Sequence, residues 1–231
     1  MAISAEAERI RLAVYRGFAQ TGRVPTRREM PAAYGIDDAA LEGVLDELAA
    51  ARHIVLAGGE IELAHPFASR SFGFSVMGPQ TLWWGGCAWD AFAIPHLVPD
   101  APEVLVATTC PACGTAHAWT VGREAPPRGD QVAHFLVPAH DIWPDAAHAC
   151  ENQLLFCDER CVSRWLDRTG AERGYVLTLD TLWRLAASWY EGRLDTPYER
   201  RDPASAAGYF ASVGLSGPFW GLPDRSMNRT S

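Results

Sequence analysis

Trp83-Trp84-Gly85-Gly86-Cys87-Ala88-Trp89-Asp90-Ala91-Phe92-Ala93-Ile94-Pro95 is the stretch on which the reading of this chain turns. Two glycines ahead of a helix-compatible run place Cys87 near a helix N-terminus, where the dipole and the free amides favour a thiolate. Asp90, three residues on, shares that helix face and can exchange a proton with the sulfur or with something bound to it. Crowding by Trp83, Trp84, Trp89 and Phe92 predicts a partly desolvated carboxyl with a raised pKa. A plainer reading stays open, in which Cys87 is a small hydrophobe beside an aspartate that caps the helix.

Upstream, Ile10, Val14, Tyr15 and Phe18 at helical spacing predict a helix over residues 5–20, ended by Gly22. Thr26 and Glu29 have capping-box spacing, so a short second helix is predicted to start there. Leu41, Val44, Leu45 and Leu48 form the buried stripe of a third, from about Asp38 to Arg52. Ile54-Val55-Leu56 and Ile61-Glu62-Leu63 around Gly58-Gly59 read as a hairpin. Three helices and a hairpin read as a winged-helix-like domain, residues 1–68. Asp37, Asp38, Glu42, Asp46 and Glu47 make its third helix acidic, which speaks for a structural role over DNA binding.

Downstream, Val104-Leu105-Val106-Ala107 and His117-Ala118-Trp119-Thr120-Val121 read as strands, with another over Gln131 to Val137 after the loop 125–130. Helical patterns return at about Glu159 to Arg168 and Leu179 to Gly192. The tail after Thr196 reads as irregular, with Tyr209, Phe210, Phe219 and Trp220 packing it back onto the core. The fold class is therefore α+β: the N-terminal unit, then a small mixed β-sheet domain with helices and a treble-clef-like core, residues 69–231.

All six cysteines lie in this second part. Cys110-Pro111-Ala112-Cys113-Gly114 is a zinc-knuckle sequence, and Phe156-Cys157-Asp158-Glu159-Arg160-Cys161 offers a second pair at a helix start. Cys150, beside His148, has no partner at a suggestive spacing and reads as a packing residue. His117 and His134 read as half-buried strand histidines, and Arg160, Arg164 and Arg168 as a solvated helix face.

Composition narrows the function. The chain has 231 residues, is 48% hydrophobic and 21% charged, and carries a net charge of -8, which disfavours nucleic acid or anionic lipid as the main partner. All 20 basic residues are arginine, so neither a Schiff-base lysine nor a P-loop lysine is present. Glu6, Glu8, Arg9 and Arg11 break any signal-peptide core, and no later segment suits a membrane span. The expected compartment is the reducing cytoplasm, where cysteines serve as thiols, metal ligands or nucleophiles.

In order of features the chain resembles the organomercurial (alkylmercury) lyases: a winged-helix-like start, C-x-x-D at an aromatic helix start, a cysteine after a strand, then Phe-Cys before another helix. The resemblance covers roughly residues 70–195 and is most specific at Cys87, Asp90 and Phe156-Cys157. It implies a mercury-resistance enzyme that protonolyses the carbon–mercury bond with two cysteines and an aspartate, matching Cys87, Cys157 and Asp90. Cys110 matches a family cysteine of structural role. Hg(II), the product, would be held by Cys87 and Cys157, and Trp83, Trp84, Trp89 and Phe92 would wall the organic group. No cofactor is required. The metal would pass to a low-molecular-weight thiol or to mercuric reductase.

Cys113 and Cys161 depart from the family pattern. If Cys110, Cys113, Cys157 and Cys161 hold zinc, Cys157 is no free nucleophile, and the chain reads instead as a treble-clef-like binding or regulatory module. The lyase reading is preferred because a zinc site alone leaves Cys87 and Asp90 without a role. A metal-responsive DNA-binding regulator is a third reading, disfavoured by the acidic helix.

Overall fold

A computed structural model describes residues 3–224. Helix α1 (Ala5–Thr21) begins where Ser4 accepts from the amide of Ala7 and ends at Gly22, whose φ of 74° turns the chain out of the helix. Gly22 also lies against Leu82, whose carbonyl a side chain there would strike. Helix α2 (Met30–Tyr34) starts later than the capping-box reading places it. Glu29 does reach back to the Thr26 amide at 2.9 Å, but the Thr26 hydroxyl donates to that same carboxylate rather than capping, so residues 26–29 form only a turn. Asp37 caps α3 (Asp38–Ala50), whose buried face is Leu41, Val44, Leu45 and Leu48.

The hairpin β1 (Val55–Ala57) and β2 (Glu60–Ala64) is not free-standing. It is the edge of a seven-stranded antiparallel sheet that continues through β3 (Phe67–Ala68), β5 (Leu82–Gly85), β4 (Phe74–Met77), β6 (Glu103–Thr109) and β7 (Ala116–Gly122). β3, β4 and β5 were not legible as strands. A second antiparallel sheet has the order β10 (Tyr175–Thr178), β8 (Val132–Phe135), β9 (Gln153–Phe156).

Helix α4 (Ala88–Leu97) packs on β4–β7, on β9 and on helix α7 (Leu179–Ala187). Every residue from Ala88 to Pro95 is buried. A helix apolar on all sides must be enclosed on all sides, and α4 is the element around which the molecule is built.

Two departures from the sequence reading concern helix ends. Helix α7 stops at Ala187, before the aromatic pair Trp189-Tyr190. The tail contains a helix, α8 (Pro203–Ser212), where irregular chain was expected. Its signal is Asp202, which accepts from the amides of Ala204 and Ser205, ahead of Pro203, a residue that starts helices well because its missing N–H is not needed there. Tyr209, Phe210, Phe219 and Trp220 do pack back, joining Trp89 and Trp189 in one aromatic cluster. Among the described residues no helix is long and apolar enough to cross a membrane.

Candidate active site

Strand β5 delivers Gly85 and Gly86 to the start of α4, and both glycines are required by close approach. A Cβ on Gly85 would lie 2.9 Å from the Cα of Ala91, and one on Gly86 2.5 Å from Asp90 Oδ2 and 2.9 Å from Leu63. Gly86→Ala is therefore expected to push the carboxylate off its partners and lower turnover about a hundredfold with little change in secondary structure. Activity beside a circular dichroism spectrum checks this, and unchanged turnover would refute it.

Cys87 is the N-cap of α4, as its sequence context predicts, and Asp90 N–H points to its sulfur at 3.4 Å. The thiol donates to Gln153 Oε1 at 3.0 Å. Asp90 is 0% exposed and fully engaged. Its Oδ2 lies 2.9 Å from His65 Nδ1, and its Oδ1 accepts from the Tyr190 hydroxyl. Cys150, from the short helix α5 (Ala146–Glu151), places its sulfur 3.9 Å from both Asp90 Oδ2 and His65 Nδ1. His65 is held in turn by Arg193, whose guanidinium donates to the His65 carbonyl and, at 3.0 Å, to the Tyr15 hydroxyl of α1. Arg11, also on α1, is fully buried and donates to the carbonyls of Arg193 and Asp195 at 2.8 and 2.6 Å.

The charge pattern reverses two sequence expectations. Burial alone would raise the Asp90 carboxyl, but the imidazolium of His65 and the bonds from His65, Tyr190 and Cys87 outweigh it and hold Asp90 below the usual carboxylate range. Asp90 is thus a buried anion, not a stored proton. Burial pushes the Cys87 thiol well up, reinforced by Cys150 and by the Asp90 charge, so the helix terminus does not make it the thiolate. Cys150 is the lowered thiol. The bond from Cys87 and the charge of His65 overcome its burial. Tyr190 keeps its proton because burial and the adjacent carboxylate both oppose ionisation.

For His65, burial works against the charged form, but Asp90 and Cys150 raise its pKa from 6.5 to about 10. A group raised in the folded state stabilises fully below its unfolded pKa, so the His65 contribution is complete below pH 6.5 and lost as pH climbs to about 10. The Asp90 contribution has the opposite sense, present above about 3.8 and lost as pH falls below it. Thermal unfolding should therefore show a stability loss on the alkaline side, at most about 1.4 kcal/mol per pH unit, that His65→Gln removes. An identical alkaline slope in the variant would refute the pairing.

The structure does not bring Cys157 to this group. It lies with Cys110, Cys113 and Cys161, the four sulfurs being within 4.8 Å of one another, and Cys113 Sγ is 3.5 Å away. Cys157 is fixed there because it follows β9 directly and precedes α6 (Glu159–Thr169), both of which face the β6–β7 turn. Cys150, read from the sequence as packing, occupies the place beside Asp90 that Cys157 was expected to fill. The arginines read as a solvated face also have partners: Arg164 donates to Cys161 Sγ at 2.8 Å, and Arg168 to the carbonyls of Pro111 and Ala112. His117 Nε2 is 3.3 Å from Cys157 Sγ, and His134 Nε2 accepts from Gly174 N–H.

The four aromatic residues assigned to the organic group are engaged in packing. Trp83 donates to the carbonyls of Phe18 and Ala19, Trp89 to that of Leu185, and Phe92 is buried against Trp119. Trp84 is half-buried on the other side of β5. Next to the site lies a different aromatic, Trp143, edge-on to His65 at 5.8 Å between centroids. A cavity of about 610 Å³ is lined by Arg16, Gln20, Thr81 and Trp83, and one of about 360 Å³ by His96, Arg123 and Tyr190; neither borders Cys87, Asp90 or Cys150.

Sequence reasoning found Cys87 and Asp90 through their spacing. It missed His65, Cys150, Gln153, Tyr190 and Arg193, which come from three separate stretches, at residue 65, residues 150–153 and residues 190–193, each far in sequence from the Cys87–Asp90 turn.

No curated protein matches the chain. Among solved structures, the crystal structure of the mercury-bound form of MerB2 superposes with a TM-score of 0.62 over 80% of this chain and 89% of that one, at 17% identity, which establishes a shared fold. The family model for MerB, alkylmercury lyase, matches residues 67–191, more than half of the sequence and the part that carries Cys87, Asp90 and Cys150. The chain belongs to the alkylmercury lyase family, and its activity is that of a carbon–mercury lyase.

Proposed function

We propose that Cys87, Cys150 and Asp90 carry the protonolysis of organomercurials, with Cys150 in the role that the family resemblance implied for Cys157. The observation that carries this reading is a lowered and a raised thiol flanking one buried carboxylate.

The difference between the thiols suggests an order of events. Mercury(II) is soft and prefers thiolate, so the Cys150 thiolate captures R–Hg⁺ and displaces its counter-ligand. Cys87 then supplies the second sulfur and gives its proton to the Asp90 carboxylate. Two sulfur donors load electron density onto the carbon, which takes that proton from Asp90. R–H leaves, the carbon–mercury bond is broken, and Hg(II) remains bridged by two thiolates with no net change in charge. His65 and Tyr190 fix Asp90 and lower the cost of its charge between the two proton transfers. No cofactor enters the scheme.

Trp143 is the wall we assign to the organic group, with Trp89 and Phe92 sealing the core behind α4 and Trp83 and Trp84 bracing β5. A low-molecular-weight thiol is the acceptor we propose for Hg(II), and mercuric reductase a recipient further on. We read residues 1–68 as a winged-helix-like unit that braces the site through Tyr15 and Arg11, in the setting of mercury resistance in the cytoplasm.

The test is turnover of a phenylmercury salt in D2O with excess thiol. Release of singly deuterated benzene supports the scheme, because the new C–H bond draws on an exchangeable proton; absence of benzene, or unlabelled benzene, overturns it.

A further inference from the structure

We propose that Cys110, Cys113, Cys157 and Cys161 bind one Zn²⁺ ion in a structural tetrathiolate centre, separate from the reacting thiols, that staples the β6–β7 turn to helix α6.

Four sulfurs each about 2.3 Å from one ion stand about 3.8 Å from one another in a tetrahedron. Here all four fall within 4.8 Å of one another, and Cys113 and Cys157 are 3.5 Å apart, too far for a disulfide and close to a tetrahedral edge. The backbone of the first pair is already folded around such a centre. Cys110 N–H donates to the Thr115 carbonyl and Gly114 N–H to the Cys110 carbonyl, both at 2.8 Å, with Gly114 at φ 75°, a left-handed turn that aims both sulfurs at one point. The second pair brackets the start of α6, where Asp158 accepts from Cys161 N–H at 2.8 Å and fixes the turn between Cys157 and Cys161.

Charge supports an ion. Binding releases four protons and leaves Zn(S-Cys)₄ with two net negative charges, which need cations nearby. Arg164 lies 2.8 Å from Cys161 Sγ, and Arg168 bonds the carbonyls of Pro111 and Ala112 inside the knuckle. Cys110 and Cys161 are buried while Cys113 is exposed, giving an ion a path in.

The need for a staple is also visible. Phe156, Val162, Trp165 and Leu166 form with Cys110 and Cys161 a small hydrophobic cluster of their own, apart from the main core. A cluster that small is stabilised substantially by one cross-link. The same β9 that ends at this cluster presents Gln153 to Cys87 at its other end, so the ion would also steady that bond.

The experiment is elemental analysis of the full-length protein purified from zinc-supplemented cells, paired with native thiol counting. About one zinc per chain is expected, with four thiols turning reactive together as a chelator withdraws it. The Cys110→Ser/Cys113→Ser protein should lose the metal, while Cys87→Ser and Cys150→Ser keep it. Should the double variant fail to fold, cobalt(II) exchanged into the wild type should give the intense visible band of a tetrahedral thiolate site. Zinc far below stoichiometry, iron in its place, zinc retained by the double variant, or zinc lost in Cys150→Ser would each overturn the assignment.

Discussion

Cys150→Ser is expected to abolish hydrocarbon release from phenylmercury, lowering kcat by about a thousandfold or more, while Cys157→Ser leaves kcat per folded molecule close to wild type. The argument is positional. Cys150 Sγ lies 3.9 Å from both Asp90 Oδ2 and His65 Nδ1, whereas Cys157 Sγ lies 3.5 Å from Cys113 and 3.3 Å from His117. Serine preserves the volume at position 150 and removes the soft donor, so capture of R–Hg⁺ should fail before any proton moves. Single-turnover benzene release, with a mercurial titration of the same samples, separates lost capture from lost cleavage. A dead Cys157→Ser beside an active Cys150→Ser would return the second thiol to the position the sequence reading gave it.

Asp90→Asn is expected to act at the other stage. Both sulfurs remain, so the organomercurial should bind and persist as a complex with its organic group intact, while cleavage slows by about 10² to 10⁴. The variant also leaves a buried imidazolium without its counter-charge, which costs on the order of 3 kcal/mol or more, unless His65 gives up its proton. The Asp90→Asn/His65→Gln protein separates the two effects, since replacing both partners should restore much of the stability and none of the turnover. Mass spectrometry of the trapped complex reads the first effect and thermal unfolding the second. Cleavage near wild type in Asp90→Asn would remove the aspartate from the mechanism.

Where the sequence was informative follows from how local each signal is. The stripe on α3 and the Cys110–Gly114 turn each report a structure formed within a few residues, and both appear in the fold as read. Helix α4 carried a strong cue of another kind, since an apolar run without periodicity has only a buried place to go. The active group is legible only in its local half. Cys87 and Asp90 are one helical turn apart; Cys150 enters from 60 residues further on through a helix of six residues, and His65 and Tyr190 arrive from a strand end and a helix end. Nothing in period or spacing links such positions. The family resemblance, by contrast, pointed to Cys157 through Phe-Cys before a helix, and that residue lies in the other cluster, where the C-x-x-x-C spacing had placed it as a ligand.

Raised and lowered pKa values failed for a related reason. Aromatic neighbours argued for a desolvated, protonated Asp90, and desolvation is indeed the largest influence on it. What reversed the outcome was a cation, His65, 25 residues upstream. Desolvation strengthens the attraction to any buried partner of opposite sign, so without knowing the partner the sign cannot be read from hydrophobicity.

The bond from Arg193 to the His65 carbonyl joins two residues that both fall just beyond 67–191, the span the family model matches. Through Tyr15 that bond continues into the first helix. Tyr15, Arg193 and His65 thus form one relay of donors and acceptors from the opening helix to Asp90, so that loosening the packing of that helix would be felt at the buried carboxylate 75 residues away.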